Sequence, residues 1–243
     1  MNPWFDVPKQ GDRPGTTLFC FPHAGGGASS FRPWRKLLPQ VEVVPACLPG
    51  REMRIQERPA ESLRYIVDEV TAAIEGLGRE RFAIFGHSFG AMIGCLATMR
   101  LAHFGRRQPV LLIVSGATPP HTPPRRPPIA HLPDDELITE IRRFQGSPDE
   151  ALDNPDLMEL LLPSLRADLV MSEGFGHRPL PAVPCPIVAF GGDEDPEVPV
   201  SDLEAWRTYT TKDFSTEVFP GGHFFIKTAE QEVLRRIGEH LSV

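Results

Sequence analysis

The sequence predicts an α/β fold in which a mostly parallel central β-sheet carries helices on both faces. Apolar, β-rich runs alternate with amphipathic stretches along most of the 243 residues, which is the pattern of such a sheet. The alternation is broken once, between residues 117 and 184, and then resumes. The length suits one α/β domain with a modest insertion, and 41% hydrophobic with 23% charged residues is typical of a globular chain.

Six apolar runs are the predicted strands, and the amphipathic stretches between them are the predicted helices. We predict strands at 16–21, 41–48, 81–86, 109–116, 185–192 and 215–221, and helices near 29–38, 61–77, 89–104, 200–209 and 228–241. The helix at 61–77 illustrates the reasoning. Its apolar side chains from Leu63 to Ile74 recur at steps of three and four residues, which places them on one buried face.

The break in the alternation begins with a proline-rich segment. Seven of the fifteen residues from Pro119 to Pro133 are proline, which lacks an amide donor and fixes its own φ, so this segment is neither a central strand nor a helix interior. Helical stretches follow at 134–144 and 154–175. A crossover helix with a long connection is one interpretation, but roughly 65 residues is far beyond the usual crossover and favours a lid.

The predicted organisation is therefore an α/β core interrupted by one insertion. The core comprises residues 1–118 and 185–243, and the helical lid comprises residues 119–184. We expect this lid to be a mobile cap with an apolar face. That face is formed by Leu157, Met158, Leu161, Leu162, Leu165, Leu169 and Met171.

Composition and charge exclude several classes of function. The net charge of −7 argues against nucleic acid as a partner. No apolar run approaches the ~18 residues of a membrane span, and the first fifteen residues lack the apolar stretch of a signal peptide. We therefore expect a cytoplasmic protein without a membrane partner. The four cysteines have no paired metal-type spacing, so we expect buried free thiols and no metal site.

The strongest chemical signal is the sequence GHSFG at residues 86–90, which lies between a predicted strand and a predicted helix. This is the G-x-S-x-G pattern in the strand–turn–helix context of the α/β-hydrolase fold. Glycines two residues before and after the serine remove Cβ atoms that would collide in the strained turn. The turn lifts the hydroxyl of Ser88 above the sheet at a helix N-terminus, so Ser88 is the predicted nucleophile.

A serine hydroxyl is a poor nucleophile until a base takes its proton, which requires a histidine. His223 follows the last predicted strand in FPGGHFF, where two glycines let the loop bend back over the sheet edge, and it is the predicted base. The other histidines lie in turns with another backbone role, in helical or proline-rich segments, or near the C-terminus: His23, His87, His103, His121, His131, His177 and His240.

The histidine in turn needs a carboxylate that fixes its tautomer. The order Ser…Asp…His places this acid after the strand at 185–192, where GGDEDPEVPV offers several carboxylates. Asp195 is preferred because its side chain would come off the loop beyond the strand end. Asp193 stays open as the alternative.

The oxyanion of such a reaction needs two convergent backbone amides. One is expected from Phe89, directly after the nucleophile, and the other from Ala24 in the glycine-rich loop after the first strand. A phosphate-binding role for this loop is the alternative. The loop lacks the lysine of a P-loop and the spacing of a dinucleotide fingerprint, which disfavours that role.

With FCFPHAGGG, LPGRE, GHSFGA, GGDEDPEV and FPGGHFF in this order, the chain resembles the type II thioesterases of polyketide and nonribosomal peptide synthesis over essentially its full length. The resemblance implies an editing enzyme that hydrolyses short or aberrant acyl groups from the phosphopantetheine arm of carrier proteins. It implies the same roles for Ser88, Asp195, His223, Ala24 and Phe89. It also implies a helical lid near 120–180, whose apolar face we expect to meet acyl chains, and no cofactor beyond the phosphopantetheine of the substrate.

Carrier proteins are usually acidic and this chain is acidic overall, so docking needs a local basic patch. The candidate arginines are Arg51 with Arg54, Arg125 with Arg126, and Arg142 with Arg143. Solvated surface charge is the alternative for each of them.

Three other functions remain open at this point. A lipase, esterase or peptidase that acts on a free small molecule would suit a lid equally well. An acyltransferase of the malonyl type would share the serine motif. Such transferases lack an Asp and His after the sheet in this order, and this chain lacks an evident arginine just beyond the serine turn to hold a carboxylate. A catalytically inactive carrier-binding module is the third, although every catalytic part is present.

Overall fold

The computed structural model describes residues 2–8, 15–105, 107–144, 152–177 and 179–242. Six strands form one sheet in the order β2-β1-β3-β4-β5-β6, and each neighbouring pair is parallel. They are β1 (Thr16–Phe21), β2 (Val41–Pro45), β3 (Phe82–His87), β4 (Leu112–Ser115), β5 (Ile187–Gly192) and β6 (Phe214–Phe219). The predicted α/β class with a parallel sheet is confirmed.

The helices follow the strands in alternation. They are α1 (Trp34–Leu37), α2 (Leu63–Leu77), α3 (Phe89–Phe104), α4 (Asp134–Arg142), α5 (Pro155–Glu173), α6 (Val200–Leu203), α7 (Phe225–Thr228) and α8 (Glu230–Leu241). The ends of α2 follow from its sequence. The side chain of Ser62 caps the first turn by accepting from the Tyr65 amide, and Gly78 ends the helix in the left-handed region with φ 64°.

Some predicted elements are shorter in the structure. The predicted helix at 29–38 is a 3₁₀ turn (Ala28–Ser30) followed by the single turn α1. Pro33 interrupts the backbone hydrogen bonds, and Pro39 holds the preceding Leu38 out of the helical region at ψ 60°. The predicted helix at 200–209 is likewise split into α6 and a 3₁₀ segment (Glu204–Tyr209).

The sheet is covered by apolar residues on both faces. Helices α2 and α3 supply Val70, Ile74 and Ile93 to the core on one face. On the other face α1 and α8 supply Trp34, Val233 and other side chains. Strands β1 to β5 are buried along their whole length, as expected for a parallel sheet between two helical layers.

The region after β4 departs from the strand–helix alternation. Helices α4 and α5 share a small apolar cluster of their own, formed by Leu137, Met158 and Leu162 with Leu152. The predicted insertion also contains residues 145–151 and 178, which lie outside the described residues. The four cysteines are free and buried. Across the described ranges, none of the helices is long and apolar enough to cross a membrane.

Candidate active site

The parallel sheet brings five loops to one edge. Because all strands run the same way, the segments that follow β1, β3, β4, β5 and β6 emerge together at the carboxyl ends. The chain passes from β1 outward to β2 and then returns to β3 on the other side of β1, so the strand order reverses between β1 and β3. Ligands of open α/β sheets bind in the crevice at such a switch point.

Ser88 lies at this crevice, directly between β3 and α3. Its backbone has φ 55° and ψ −118°, a strained conformation for a residue other than glycine. The turn is held by a hydrogen bond of 2.8 Å from the Ser88 amide to the carbonyl of Ser115, at the end of β4. The hydroxyl of Ser88 therefore stands at the N-terminus of a sixteen-residue helix.

The two glycines of the motif are required by close backbone contacts. A Cβ on Gly86 would lie 2.1 Å from the carbonyl oxygen of Gly90, and a Cβ on Gly90 would lie 2.1 Å from that of Phe21. Both contacts are with backbone, which cannot rotate away as a side chain can. The sequence argument for these glycines therefore has a direct counterpart in the packing of β3, α3 and β1.

His223 is paired with Asp195. The Nδ1 atom of His223 lies 2.8 Å from Oδ2 of Asp195, and both residues are only 6% exposed. The other carboxylate oxygen of Asp195 accepts from the amides of Glu197 at 2.9 Å and Val198 at 3.3 Å. With both oxygens engaged, the carboxylate has a fixed orientation toward the imidazole.

Asp193, the alternative acid, has a different partner. Its Oδ1 accepts from the amide of Gly221 at 2.8 Å, which ties the β5 loop to the loop that carries His223. The geometry therefore pairs Asp195 with the imidazole and gives Asp193 a role in shaping the loop.

Each of the two predicted oxyanion donors shares a cavity with Ser88. Ala24 follows β1 and, together with Ser88, lines one cavity, while Phe89 and Ser88 line another. In the part of the chain that the structure describes, neither the Ala24 amide nor the Phe89 amide donates to a protein acceptor. Both amides are thus available as donors, which the predicted oxyanion role requires.

Two further histidines lie beside His223, and burial keeps both of them neutral. Burial is the main cause that lowers the pKa of His23 from 6.5 to about 3, with smaller contributions from nearby cationic groups. Burial likewise lowers the pKa of His87 well below its usual value. The His87 ring is 5.2 Å from the His223 ring, and its Nδ1 is 3.0 Å from Oγ of Ser115. Neither ring therefore places a positive charge against His223 at neutral pH.

The glycine-rich loop after β1, residues 22–27, carries Ala24 and is called the oxyanion loop below. A buried ion pair ties this loop to α5. Arg51 contacts Asp168 at 2.5 Å (Nη1 to Oδ2) and 2.9 Å (Nη2 to Oδ1), and their side chains are 4% and 1% exposed. Asp168 Oδ2 also accepts from the Gly25 amide at 2.9 Å, and Arg51 Nη1 donates to the Gly26 carbonyl at 3.1 Å.

This pairing corrects one sequence prediction. Arg51 and Arg54 were predicted as candidates for a carrier-docking patch, and this is wrong. Arg51 is buried against Asp168, while the Arg54 side chain is 11% exposed, pairs with Glu57 and lies over the ring of Trp4. Arg51 satisfies buried acceptors, and Arg54 donates to the carbonyl of Cys47 and to the carboxylate of Glu57, so both guanidinium groups are engaged within the protein.

Two cavities open at Ser88 and His223. The smaller, of about 140 Å³, is mainly apolar and is lined from α5 by Met158, Leu161, Leu165 and Leu169. Of the other residues predicted to meet acyl chains, Leu162 packs within the α4–α5 cluster and Met171 packs in the main core. The larger cavity, of about 330 Å³, is walled by the proline-rich segment and includes Arg125 and Arg126.

These arginines have acidic neighbours. Arg125 pairs with Asp202 at 2.8 Å, and Arg126 pairs with Glu197 at 2.7 Å. Their side chains remain 51% and 40% exposed, so they can still meet a charged group from outside. Among the described residues, no group of three or more His, Cys, Asp or Glu side chains is placed to hold a metal ion.

Comparison with known proteins agrees with this site. A profile of the thioesterase domain family matches residues 16–241. The chain belongs to the thioesterase family. It is 37% identical over 235 residues to the gramicidin S biosynthesis protein GrsT of Aneurinibacillus migulanus, which covers 96% of this chain and 92% of GrsT.

Solved thioesterase structures are similar throughout the chain. The RedJ thioesterase from the prodiginine pathway of Streptomyces coelicolor matches with a TM-score of 0.87 and 34% identity, covering 96% of this chain and 90% of RedJ. The type II thioesterase BorB from the borrelidin biosynthetic cluster matches with a TM-score of 0.88 and 30% identity, covering 98% and 97%. The predicted α/β-hydrolase fold, thioesterase activity and likeness to type II thioesterases are confirmed.

Proposed function

We propose that this thioesterase hydrolyses acyl groups from the phosphopantetheine arm of acyl or peptidyl carrier proteins. In this way it would clear stalled or mis-primed polyketide or nonribosomal peptide assembly lines. The observation that carries the proposal is the meeting of two unlike cavities at Ser88 and His223. A thioester whose carbonyl carbon lies at Ser88 has one branch for each cavity, the acyl group and the arm.

The smaller cavity suits the acyl group because its α5 wall is apolar. A cavity of about 150 Å³ lined by apolar side chains accepts a benzene-sized ligand, so a volume of about 140 Å³ suits an acyl chain of about six carbons. Short acyl units are the kind that block an assembly line, so the size favours an editing role.

The larger cavity suits the arm. Extended phosphopantetheine is ~20 Å long, a figure that follows from ~3.5 Å per residue-like unit of chain. Consecutive prolines stiffen the wall, and Arg125 and Arg126 are exposed enough to meet the phosphate or an acidic carrier surface. A phosphate there would compete with Asp202 and Glu197 for the guanidinium groups, which predicts a contact sensitive to salt.

The proposed mechanism uses the residues at the crevice. Ser88 Oγ attacks the thioester carbonyl while His223 takes its proton, and Asp195 holds the imidazole in the required tautomer. The amides of Ala24 and Phe89 bind the oxyanion of the tetrahedral intermediate. The C–S bond breaks, the proton on His223 passes to the leaving thiolate, and water activated by His223 then releases the acyl group from Ser88.

The remaining parts of the proposal concern organisation and location. Residues 119–184 act as the lid over a core formed by 1–118 and 185–243, because α5 supplies the wall of the acyl cavity. A thiolate leaves readily, so the proposed reaction needs no cofactor beyond the phosphopantetheine of the substrate. The partners are carrier proteins, and a cytoplasmic location, without nucleic acid or membrane, stays a prediction.

The decisive experiment compares the hydrolysis of one acyl group as a thioester of a carrier protein and as a thioester of the small thiol N-acetylcysteamine. We expect kcat/KM to be higher for acyl-carrier protein than for the same acyl group on N-acetylcysteamine, because remote contacts orient the thioester. The advantage should shrink as the ionic strength rises. Equal values for the two substrates at low and high salt would favour a free-substrate esterase, and faster hydrolysis of the matching oxygen ester would point the same way.

A matched pair of variants localises the carrier contact. For the double variant Arg125→Gln/Arg126→Gln, the ratio of kcat/KM for acyl-carrier protein to that for acyl-N-acetylcysteamine, here called the carrier advantage, should fall toward one. Its activity on acyl-N-acetylcysteamine should be kept. The control double variant Arg64→Gln/Arg235→Gln removes two exposed arginines that line neither cavity and should retain the advantage. Equal losses in both variants would mean that only overall charge matters.

A further inference from the structure

Asp168 is the point at which three separate parts of the chain meet. It lies on α5, accepts from the two terminal guanidinium nitrogens of Arg51 (Nη1 and Nη2), and accepts from the amide of Gly25 in the oxyanion loop. Arg51 belongs to the LPGRE segment after β2, and 117 positions separate it from Asp168. The pair is almost fully buried, so each charge depends on the other for stabilisation.

The hydrogen bonds of this pair bracket the backbone next to Ala24. The amide of Gly25 points to Asp168, and the carbonyl of Gly26 accepts from Arg51. A bond of 2.9 Å from the Gly26 amide to the His23 carbonyl closes the turn from the other side. The direction of the Ala24 amide is therefore fixed by anchors on both sides of it.

A second set of contacts holds the same face of α5 against the core. Ser164, one turn before Asp168, donates to the carbonyl of Gly50 at 2.5 Å and is buried. Gly25 has φ +73°, and a Cβ there would lie 3.1 Å from Leu165. The oxyanion loop thus packs directly on the helix that also lines the acyl cavity.

We propose that Arg51 and Asp168 are positioning residues: their buried pair aims the Ala24 amide at the oxyanion and makes the seating of α5 a condition for catalysis. This inference rests on the proposed function, because it assigns the oxyanion to Ala24. When α5 lifts away, Gly25 loses its acceptor and Arg51 loses its counter-charge. The loop then has no anchor on that side, and the oxyanion is no longer efficiently stabilised.

The test uses Asp168→Asn and the double variant Arg51→Met/Asp168→Leu. Asparagine keeps the shape but turns a donor toward Arg51. The double variant removes both charges, which buried pairs often tolerate without loss of stability, so it keeps the test valid if Asp168→Asn folds poorly. The control is Glu42→Gln, which breaks the buried Arg79–Glu42 pair at the opposite end of the sheet.

Kinetics and inhibitor binding are measured together on an acyl-N-acetylcysteamine substrate. We expect kcat to fall by about 10- to 100-fold in both Asp168 variants while KM stays within about threefold, since a misplaced oxyanion donor acts on the transition state. The affinity for an alkyl boronic acid, which forms a tetrahedral adduct with the serine, should fall by the same factor as kcat/KM. Glu42→Gln should change neither quantity.

Each contrary outcome has a distinct meaning. Wild-type kcat in both Asp168 variants would overturn the positioning role, and so would a lower kcat with unchanged boronate affinity. An equal loss in Glu42→Gln would reduce the effect to general stability and would also overturn it. Failure of the proposed function is detected separately, because the wild type would then show equal kcat/KM for acyl-carrier protein and acyl-N-acetylcysteamine at low and high salt, whatever the Asp168 variants do.

Discussion

Replacing His23 by Leu tests whether burial keeps the histidines beside the site neutral. In the folded protein the pKa of His23 is about 3, whereas the ordinary value is 6.5. Between these values the unfolded chain binds a proton that the folded protein does not, so the free energy of unfolding falls as the pH drops below 6.5. From about pH 7.5 to about pH 5 this single group removes about 2 kcal/mol of stability.

In the variant, the free energy of unfolding should lack this pH-dependent part because leucine does not titrate. Leucine is close to histidine in volume, and Nδ1 of His23 has no partner within the described residues, so no hydrogen bond to it is broken. Urea unfolding at about pH 7.5 and about pH 5 gives the pH-dependent loss for wild type and variant. The loss should be smaller by about 2 kcal/mol in His23→Leu.

The control for this measurement is Phe104→Leu, at an exposed position of α3, which removes no titratable group. It should show the same pH dependence as the wild type. If His23→Leu loses as much stability between the two pH values as the wild type, His23 takes up a proton in the folded protein. The argument that burial keeps the His23 ring uncharged beside His223 would then fail.

The other predictions concern catalysis directly. Ser88→Ala should lower kcat on the order of 10⁶-fold in a thioester assay with little change in Tm, and turnover within about tenfold of the wild type would remove Ser88 from the mechanism. Asp195→Asn should lower kcat about 10⁴-fold by holding His223 in the wrong tautomer. Asp193→Asn should cost far less, and the reverse order would transfer the acid role to Asp193. Leu161→Trp should narrow the acyl cavity, and in a chain-length series kcat/KM should fall for hexanoyl more than for acetyl substrates; equal losses would place the acyl group elsewhere.

Much of this molecule could be predicted because its signals are local. The turn that carries Ser88 is one continuous stretch of strand, turn and helix. Its two glycines are required because a Cβ at either position would collide with backbone of the same stretch or of β1. In a parallel sheet every carboxyl end meets at the same edge, so residues after β3, β5 and β6 had to come together whatever their separation in sequence. That is why Ser88, Asp195 and His223 could be chosen without coordinates.

The buried pair of Asp168 and Arg51, with its hydrogen bond from Gly25, could not be predicted in this way. Its partners come from the loop after β1, the segment after β2 and a helix more than a hundred residues later, and no periodicity links them. From the sequence alone, Arg51 would be placed on the surface like most arginines. Asp168 lies on a helix with an apolar face, and an acidic residue of such a helix is expected on its solvent-exposed side. The one available signal was LPGRE itself, a motif quoted for its resemblance without a physical role for its arginine.

Helix α5 lines the acyl cavity with one row of side chains and contacts the core with the neighbouring row. This arrangement affects how the enzyme would select acyl groups. Leu161, Leu165 and Leu169 recur every four residues along the acyl cavity, while Ser164 and Asp168 recur one position earlier and hold the core. An acyl chain that fills the cavity therefore packs on the same helix whose carboxylate anchors the oxyanion loop. Contacts made by the chain help to seat α5 and so favour the arrangement that stabilises the transition state. Selectivity for chain length then lies in kcat as much as in KM, because binding energy from the remote end of the substrate is used to order the reacting end.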